Sequence, residues 1–505
     1  MNFIEDVLER FAAARPALLA IDRDGERRVW HFGELIAMSA GLSGALGARG
    51  VGRGDVVMTL VGNRLEWVLS MLACWRMGAV ALPCNTQLRR KDLELRAGVA
   101  GPALCVGDEE LLGELPDGIA YMTLGEVSAA LDEDLPGATP MAVAELDPAD
   151  PALIVFTSGT TGEPRAALHA QRYLPGQRSQ AESWLGARDG DLVWCTTATG
   201  WSKSARNVFV APWLCGAAAM IVDGRFEPPE RLELIDRERV SVLCQAPTEY
   251  RVLAKRAGLR PLPSVRRAVS AGEALNPEVI AAWREGCGLE ICDGYGQTET
   301  GHLTGNLVGD PLREGSMGRP LPGYELRIVE EREARDGEPE REAGPGEPEG
   351  DRRAGELQLR VESCPTFFAR YLDGEPFAGE WWPTGDVVRR DEDGFLWYEG
   401  RNDDLILSAG YRIGPFEVES ALLSHPAVAE AAAVSAPDAE RGAIVRAIVV
   451  PRERGPSAGL ARELQDHVKA VTAPYKYPRI VDFVETLPRT ASGKVKRAQL
   501  RELGR

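Results

Sequence analysis

Residues 153–165 read LIVFTSGTTGEPR. A short apolar run, Leu153 to Phe156, opens into a loop of Thr157, Ser158, Gly159, Thr160, Thr161 and Gly162, which Pro164 and Arg165 close. Glycines let backbone N–H groups turn toward an anion, hydroxyls add donors, and a cation neutralises charge. The chemistry that fits is the cradling of phosphate. Read alone, the stretch also fits a polar turn after a strand, because Ser/Thr/Gly clusters mark loops. Two standard phosphate patterns are excluded. Gly159 and Gly162 stand too close for the Walker spacing, and Gly294-Tyr295-Gly296-Gln297-Thr298 has Glu299 where a dinucleotide fingerprint needs its third glycine.

Elements able to position such a loop are legible around it. Helical patterns alternate with short apolar strands: helix over 33–47, strand 55–60, helix 66–78, strand 79–83, then strands at 191–195, 217–222, 240–244, 268–270 and 290–293. This alternation predicts an α/β fold with parallel sheets. Residues 330–353 hold ten acids, five bases, three prolines and four glycines, with no aliphatic side chain beyond alanine. They cannot bury apolar surface and read as a solvated acidic insert. A boundary is predicted near 401–404. It divides a large N-terminal domain, 1–401, from a small α+β domain, 402–505, with helix 415–424, strands 428–435 and 444–451, helix 459–471 and strand 481–484. The N-terminus carries Phe3, Ile4, Val7, Leu8 and Phe11 at helical spacing. It predicts an amphipathic helix packed on the body, not a signal peptide.

Composition narrows the function. A chain of 505 residues exceeds one ordinary core. Its net charge of −18, from 58 basic and 76 acidic residues, argues against nucleic acid or an anionic membrane as partner. Nine cysteines without a Cys-x-x-Cys pair read as reduced core thiols, and five scattered histidines give no zinc spacing. No Gly-x-Ser-x-Gly elbow supports a serine hydrolase. The longest apolar region, 67–83, is interrupted by Arg76 and too short to span a bilayer. A cytoplasmic location is expected.

TSGTTGEPR resembles the phosphate loop TSGTTGxPK of the adenylate-forming enzymes, the superfamily of acyl-CoA synthetases, luciferases and peptide-synthetase adenylation domains. Arg165 replaces the usual lysine but keeps its charge. Further blocks follow in that family's order: Ala271-Gly272-Glu273-Ala274-Leu275-Asn276-Pro277, then Asp293-Gly294-Tyr295-Gly296-Gln297-Thr298-Glu299-Thr300-Gly301, then Trp382-Pro383-Thr384-Gly385-Asp386. Gly400-Arg401-Asn402-Asp403-Asp404, Ser408-Ala409-Gly410-Tyr411-Arg412-Ile413-Gly414 and Leu487-Pro488-Arg489-Thr490-Ala491-Ser492-Gly493-Lys494-Val495 complete the set. Each alone could be a turn; in order they cover almost the whole chain.

The resemblance implies a large domain with parallel sheets and a small barrel-like part, and a small mobile lid domain. It implies that the loop residues, Gly272, Glu273, Ala274, Asp293, Gly294, Gly296, Gln297 and Arg412 line an ATP/AMP pocket. Tyr295 would stack on adenine, Asp386 would hold the ribose hydroxyls, and Arg401 would lie near ribose and phosphate. Thr298 would touch the α-phosphate and Glu299 would bind Mg²⁺. Lys494 would reach the carboxylate–phosphate junction as the catalytic cation, and Asp403 would be the hinge. The implied reaction joins a carboxylic acid to CoA through an acyl-adenylate.

Long stretches resemble the medium-chain acyl-CoA synthetases, which implies CoA contacts at Gly410, Tyr411, Arg441, Tyr477 and Arg479. It also implies an acyl pocket walled by Trp201, Ser202, Lys203, Ala271 and Gly296. Acetate-specific relatives carry tryptophan where Gly296 stands, so an open pocket and poor use of acetate are expected. Lys203 is odd for an aliphatic tunnel: it either points outward or favours a polar or aryl acid. Alternatives are an aryl-CoA ligase such as one for benzoate, an acyl-AMP ligase loading a carrier protein, and a catalytically silent binding protein. Self-association as a homodimer is left open. Lys494 invites control by a lysine acetyltransferase, since acetylation removes its charge.

Overall fold

The structure is a computed structural model that describes residues 1–131, 139–157, 164–273, 275–329, 354–408, 411–438, 441–452, 455–489 and 495–503, without the side chains of 403, 407, 411 and 412. The acidic stretch 330–353 lies outside the described residues.

Short apolar runs without polar alternation become interior strands, because a parallel strand is covered on both faces. Val56–Leu60, Val80–Pro83 and Leu104–Gly107 are buried almost throughout. They run parallel with one another and with Pro151–Phe156 and Tyr121–Thr123. Ala166–Ala170 and Arg370–Tyr371 add an antiparallel edge, giving seven strands among the described residues. A second sheet, of nine described strands, has a parallel run in the spatial order Ile291–Gln297, Arg267–Ala271, Val242–Gln245, Leu192–Cys195, Ala218–Val222, Pro16–Ile21. The helix Leu65–Met77 is buried at every residue from Trp67 on and ends at Gly78, which takes the left-handed conformation (φ +78°). The longest apolar region is thus a 13-residue core helix followed by a buried strand. Among the described residues no helix is long and apolar enough to cross a membrane.

The barrel-like part is a four-stranded antiparallel sheet, Leu326–Val329, Gly355–Arg360, Trp381–Arg390 and Leu396–Arg401. The last unit packs the helices Pro415–Leu423 and Ala458–Val471 on a sheet built around the long hairpin Val428–Asp438 and Gly442–Pro451, with Ile480–Phe483 added in parallel. It has its own apolar core, including Ile406, Val418, Leu422, Val449 and Leu464.

One element differs from expectation. The N-terminus is not one amphipathic helix. A short helix Phe3–Asp6 breaks at Val7 (φ −124°) and gives way to the 3-10 turn Leu8–Arg10. Asn2 pins the start: its amide donates to the Trp75, Arg76 and Ala144 carbonyls at 3.0–3.2 Å and its oxygen accepts from Ile4 N at 3.0 Å. The expected apolar residues Phe3, Ile4, Val7 and Leu8 are buried all the same.

Candidate active site

Strand Pro151–Phe156 pairs with Ala166–Ala170, and Phe156 faces Ala166. Just beyond, Thr157 N donates to Arg165 O at 2.8 Å and Arg165 N donates to Thr157 Oγ1 at 3.1 Å. The hydroxyl- and glycine-rich loop therefore connects two antiparallel strands and is closed at its base. Ser158, Gly159, Thr160, Thr161 and Gly162 themselves lie outside the described residues. Arg165 uses the planar fork that lysine lacks. Its Nε and Nη2 reach the two Asp373 oxygens at 3.3 and 3.0 Å, and its guanidinium stacks 3.6 Å from the Tyr371 ring centre. The Tyr371 hydroxyl donates to Glu299 Oε1 at 2.6 Å. One tyrosine thus joins the cation at the loop's end to the carboxylate expected to bind Mg²⁺.

A second group forms around Asp386. Tyr295 Oη donates to its Oδ2 at 2.5 Å and Gln297 Nε2 at 2.8 Å, while Gln297 also donates to Thr384 O at 2.7 Å. Arg401 stands directly across the ladder from Asp386, its Nη1 3.5 Å from Oδ1 and 3.3 Å from Thr384 O. Tyr295 and Gln297, 91 and 89 residues upstream, thus converge with Arg401 on one carboxylate, 4% exposed.

The blocks at 271–277 and 293–297 meet on neighbouring parallel strands, where Ser270 faces Asp293 and Ala271 faces Gly294. The buried Asp293 accepts from Gly294 N at 2.9 Å and from Leu275 N, so it ties the two blocks together. Burial pushes its carboxyl up to about 8, against the pull of those N–H groups and Lys203. A raised folded pKa means the native state binds the proton more tightly. Its stabilisation is present in full below the unfolded value near 4 and is lost as pH rises toward 8. We expect Asp293→Asn, which keeps an acceptor, to flatten the decline in melting temperature over that window; the wild-type slope from this group is at most about 1.4 kcal/mol per pH unit. Thermal melts of both proteins from pH 5 to 8 check it. Glu273 accepts from Thr248 Oγ1 at 2.9 Å, and Ala274 lies outside the described residues.

Two pocket expectations change. Lys203 does not point outward: its ammonium donates to Ala271 O and lies 2.7 Å from where a Cβ on Gly272 (φ +104°) would stand. Gly296 does not face open space. A Cβ there would meet Gly301 O at 2.0 Å and His302 Cα at 2.8 Å, because the strand pairing bulges between Tyr295 and Gly296. In this backbone the missing side chain lets the hairpin strands approach closely. Gly296→Ala is expected to destabilise the fold by about 1–3 kcal/mol, since the backbone must shift; a melting temperature equal to wild type would contradict this. Trp201 is half-buried, its carbonyl accepting from Ser204 N at 2.8 Å, and Ser202 Oγ is buried without a partner.

In the last unit Arg441 Nε approaches Ser408 Oγ at 3.4 Å, and Ser408 stands across the ladder from Tyr411. Arg479 Nη1 donates to Tyr477 Oη at 3.0 Å, on the chain entering the neighbouring parallel strand. Arg441 and Arg479 thus sit at the starts of adjacent strands. Gly410 and the side chains of Tyr411 and Arg412 are outside the description, as are that of Asp403 and all of Lys494. Arg489 and Val495, the described residues on either side of Lys494, form an antiparallel bridge. Arg497, just after it, holds both Glu419 oxygens at 2.7 and 2.8 Å, and Arg497 and Arg501 both pair with Asp404. Arg401 is thus built into one sheet, while Asp404 is tied to the terminal helix.

Residues 8–356 match the AMP-binding enzyme family and residues 417–494 its C-terminal domain. The chain belongs to the AMP-binding enzymes. It is 38% identical over 515 residues to YtcI of Bacillus subtilis (strain 168), an uncharacterized acyl-CoA ligase, covering 98% of this chain and 94% of that one. It is 38% identical over 536 residues to the mitochondrial acyl-coenzyme A synthetase ACSM3 of Mus musculus, covering 99% and 90%. The solved anthranilate CoA ligase AuaEII, in complex with anthranoyl-AMP, superposes with a TM-score of 0.85 at 30% identity over 99% of this chain and 97% of its own.

Within this AMP-binding enzyme, Tyr371 and Asp373 escaped the sequence reading. Tyr371 ends a two-residue edge strand and Asp373 lies in the turn after it, some 200 residues from the loop they serve, with no periodic pattern to mark them. Thr384, which braces Gln297 and Arg401, lay inside a recognised block without an assigned role.

Proposed function

We propose that this AMP-binding enzyme joins a medium-length carboxylic acid to CoA. The chain is an acyl-CoA synthetase, an acid–thiol ligase. A carboxylate oxygen attacks the α-phosphorus of ATP, the bond to the bridging oxygen breaks, and pyrophosphate leaves. The CoA thiolate then attacks the acyl carbon, the bond to phosphate oxygen breaks, and AMP leaves. The observation that carries this reading is the convergence of Tyr295, Gln297 and Arg401 on Asp386 beside the Arg165–Tyr371–Glu299 chain. A carboxylate held by donors suits a ribose diol, and a cation with an adjacent acid suits a metal-bound triphosphate.

Glu299 fits Mg²⁺ that arrives with ATP. Tyr371 holds one of its oxygens, which leaves the other for a cation, and no group of three or more metal-ligating acids, histidines or cysteines occurs among the described residues. Mg²⁺ needs only one or two carboxylates with phosphate and water. Bound there, it would neutralise charge on the phosphate oxygens. In this reading Thr298 touches the α-phosphate and Lys494 offsets charge at the attacked phosphorus. Arg441, Tyr477 and Arg479 serve CoA, and the small domain, 402–505, rotates about Asp403 between the half-reactions. Nine free thiols support a reducing, cytoplasmic setting.

The test is pyrophosphate release with Mg·ATP across acetate, butyrate, hexanoate, octanoate, decanoate and benzoate, each with and without CoA. CoA-dependent turnover peaking at intermediate length is expected. A benzoate peak would move the reading to an aryl-CoA ligase, which the anthranilate CoA ligase likeness favours, and release with no acid would overturn both.

A further inference from the structure

A buried cation one helical turn beyond Lys203 is used by none of these steps. Arg206 opens the helical segment Arg206–Val210 and is 4% exposed. Its Nε and Nη1 have no hydrogen-bond partner, and it forms no ion pair among the described residues. The Tyr173 hydroxyl lies beside the guanidinium, and His169, His302 and Tyr324 are close enough to feel its charge. None of these is an anion. Burial first, and then Arg206, hold His169 down to about 3 and His302 well below its usual range, so both rings are neutral at ordinary pH. No ring nitrogen of His169 or His302, nor the Tyr173 hydroxyl, makes a hydrogen bond of good geometry, although the His169 ring lies near the Thr298 backbone, the His302 ring near that of Thr304, and the hydroxyl near Arg206 and Gln177.

A buried charge without a counter-charge costs several kcal/mol. Ordered water could satisfy the loose N–H groups but brings no negative charge. What this cluster lacks is an anion. A guanidinium offers a planar fork that matches a carboxylate, and neutral imidazoles with a phenol supply further donors.

The place matters as much as the charge. Lys203 lies in the turn that leads into the helical segment, three residues before Arg206, and His302 feels both. His302 covers Gly294, where a Cβ would meet its Nε2 at 2.4 Å, and Arg206 Nη1 lies 3.4 Å from where a Cβ on Gly301 would be. The His169 ring meets the backbone of Thr298. Arg206 therefore follows closely on Trp201, Ser202 and Lys203, proposed as acyl-pocket wall, and lies near the turn that carries Thr298 and Glu299. We infer that Arg206 is a specificity residue that receives a second anionic group of the acid substrate, so that the preferred medium-length acids are dicarboxylates rather than plain alkyl acids. This rests on the acyl-CoA synthetase reading and narrows its substrate.

The test compares suberate with octanoate and adipate with hexanoate in the full-length protein, by CoA-dependent pyrophosphate release, for wild type, Arg206→Met and Arg206→Lys. Thermal stabilisation by suberate alone is measured in parallel. Wild type should favour the dicarboxylates in kcat/KM by at least about tenfold, as a site built to bond a polar group rejects analogues lacking it. Arg206→Met should reverse that order by raising KM for the dicarboxylates, Arg206→Lys should recover part of it, and suberate should stabilise wild type but not Arg206→Met. A wild-type preference for the alkyl acids, or an equal loss for both classes in Arg206→Met, would overturn the inference; if Arg206→Met does not fold, the wild-type ratio decides alone. Should no acid release pyrophosphate, the synthetase reading fails and the melting data still decide Arg206: stabilisation that depends on Arg206 supports the anion site, and no stabilisation of wild type refutes it.

Discussion

Lys494→Ala should lower acid-dependent formation of acyl-adenylate by about 10³-fold, as removal of a charge-stabilising donor does elsewhere. It should leave CoA-dependent consumption of a supplied acyl-adenylate within about threefold, because that step is assigned to the opposite orientation of the small domain. The reason lies in where the charge develops. As the carboxylate attacks, negative charge builds between acyl oxygen and α-phosphate, and a cation brought there by a moving domain acts only while present. The base of its segment is fixed by the Arg489–Val495 bridge, by Lys496 N donating to Pro488 O at 2.9 Å, and by Arg497 on Glu419. Rapid-quench measurement of the two half-reactions separates the cases. An equal loss in both would mean that Lys494 supports the fold rather than the chemistry.

Asp386→Ala should cost about 10²–10³-fold in kcat/KM for ATP, and it should also lower the melting temperature. Its Oδ2 accepts from Tyr295 at 2.5 Å and Gln297 at 2.8 Å, and its Oδ1 faces Arg401 at 3.5 Å. Truncation strands a buried hydroxyl and an amide, each costing about 1–3 kcal/mol, whereas the loss of Arg401 as partner adds little because its side chain is 36% exposed. Asp386→Asn separates binding from stability, since asparagine keeps the volume but offers one acceptor where the carboxylate offers two. It should recover most of the melting temperature and little of the ATP term. KM for CoA should be unmoved in both variants. A variant with wild-type KM for ATP would show that the ribose lies elsewhere.

The sequence was most legible where burial dictates residue type. The strands Val56–Leu60 and Arg267–Ala271 and the helix Leu65–Met77 fall within a residue or two of their expected bounds, because a run that must be covered on both faces has few alternatives. It was less legible where a tertiary contact decides. Asn2 bonds to carbonyls more than 70 residues away and breaks an apolar pattern that would otherwise continue as one helix. Gly296 illustrates a different limit. The resemblance marked the position for its pocket, and the structure adds a local reason that the sequence did not show, the carbonyl of Gly301 across a bulge. Lys203 and Arg206 were invisible as a pair, because only the fold brings both near enough for His302, a hundred residues on, to feel their charge.

The most direct test of the central claim is exchange of labelled pyrophosphate into ATP with octanoate or suberate present and CoA absent. Acid-dependent exchange, with AMP as the nucleotide product once CoA is added, is the expected result, because adenylate formation is reversible and precedes the thiol. Absence of exchange with every acid, together with release of ADP and phosphate, would contradict an adenylate intermediate and with it the roles given to Asp386, Glu299 and Lys494.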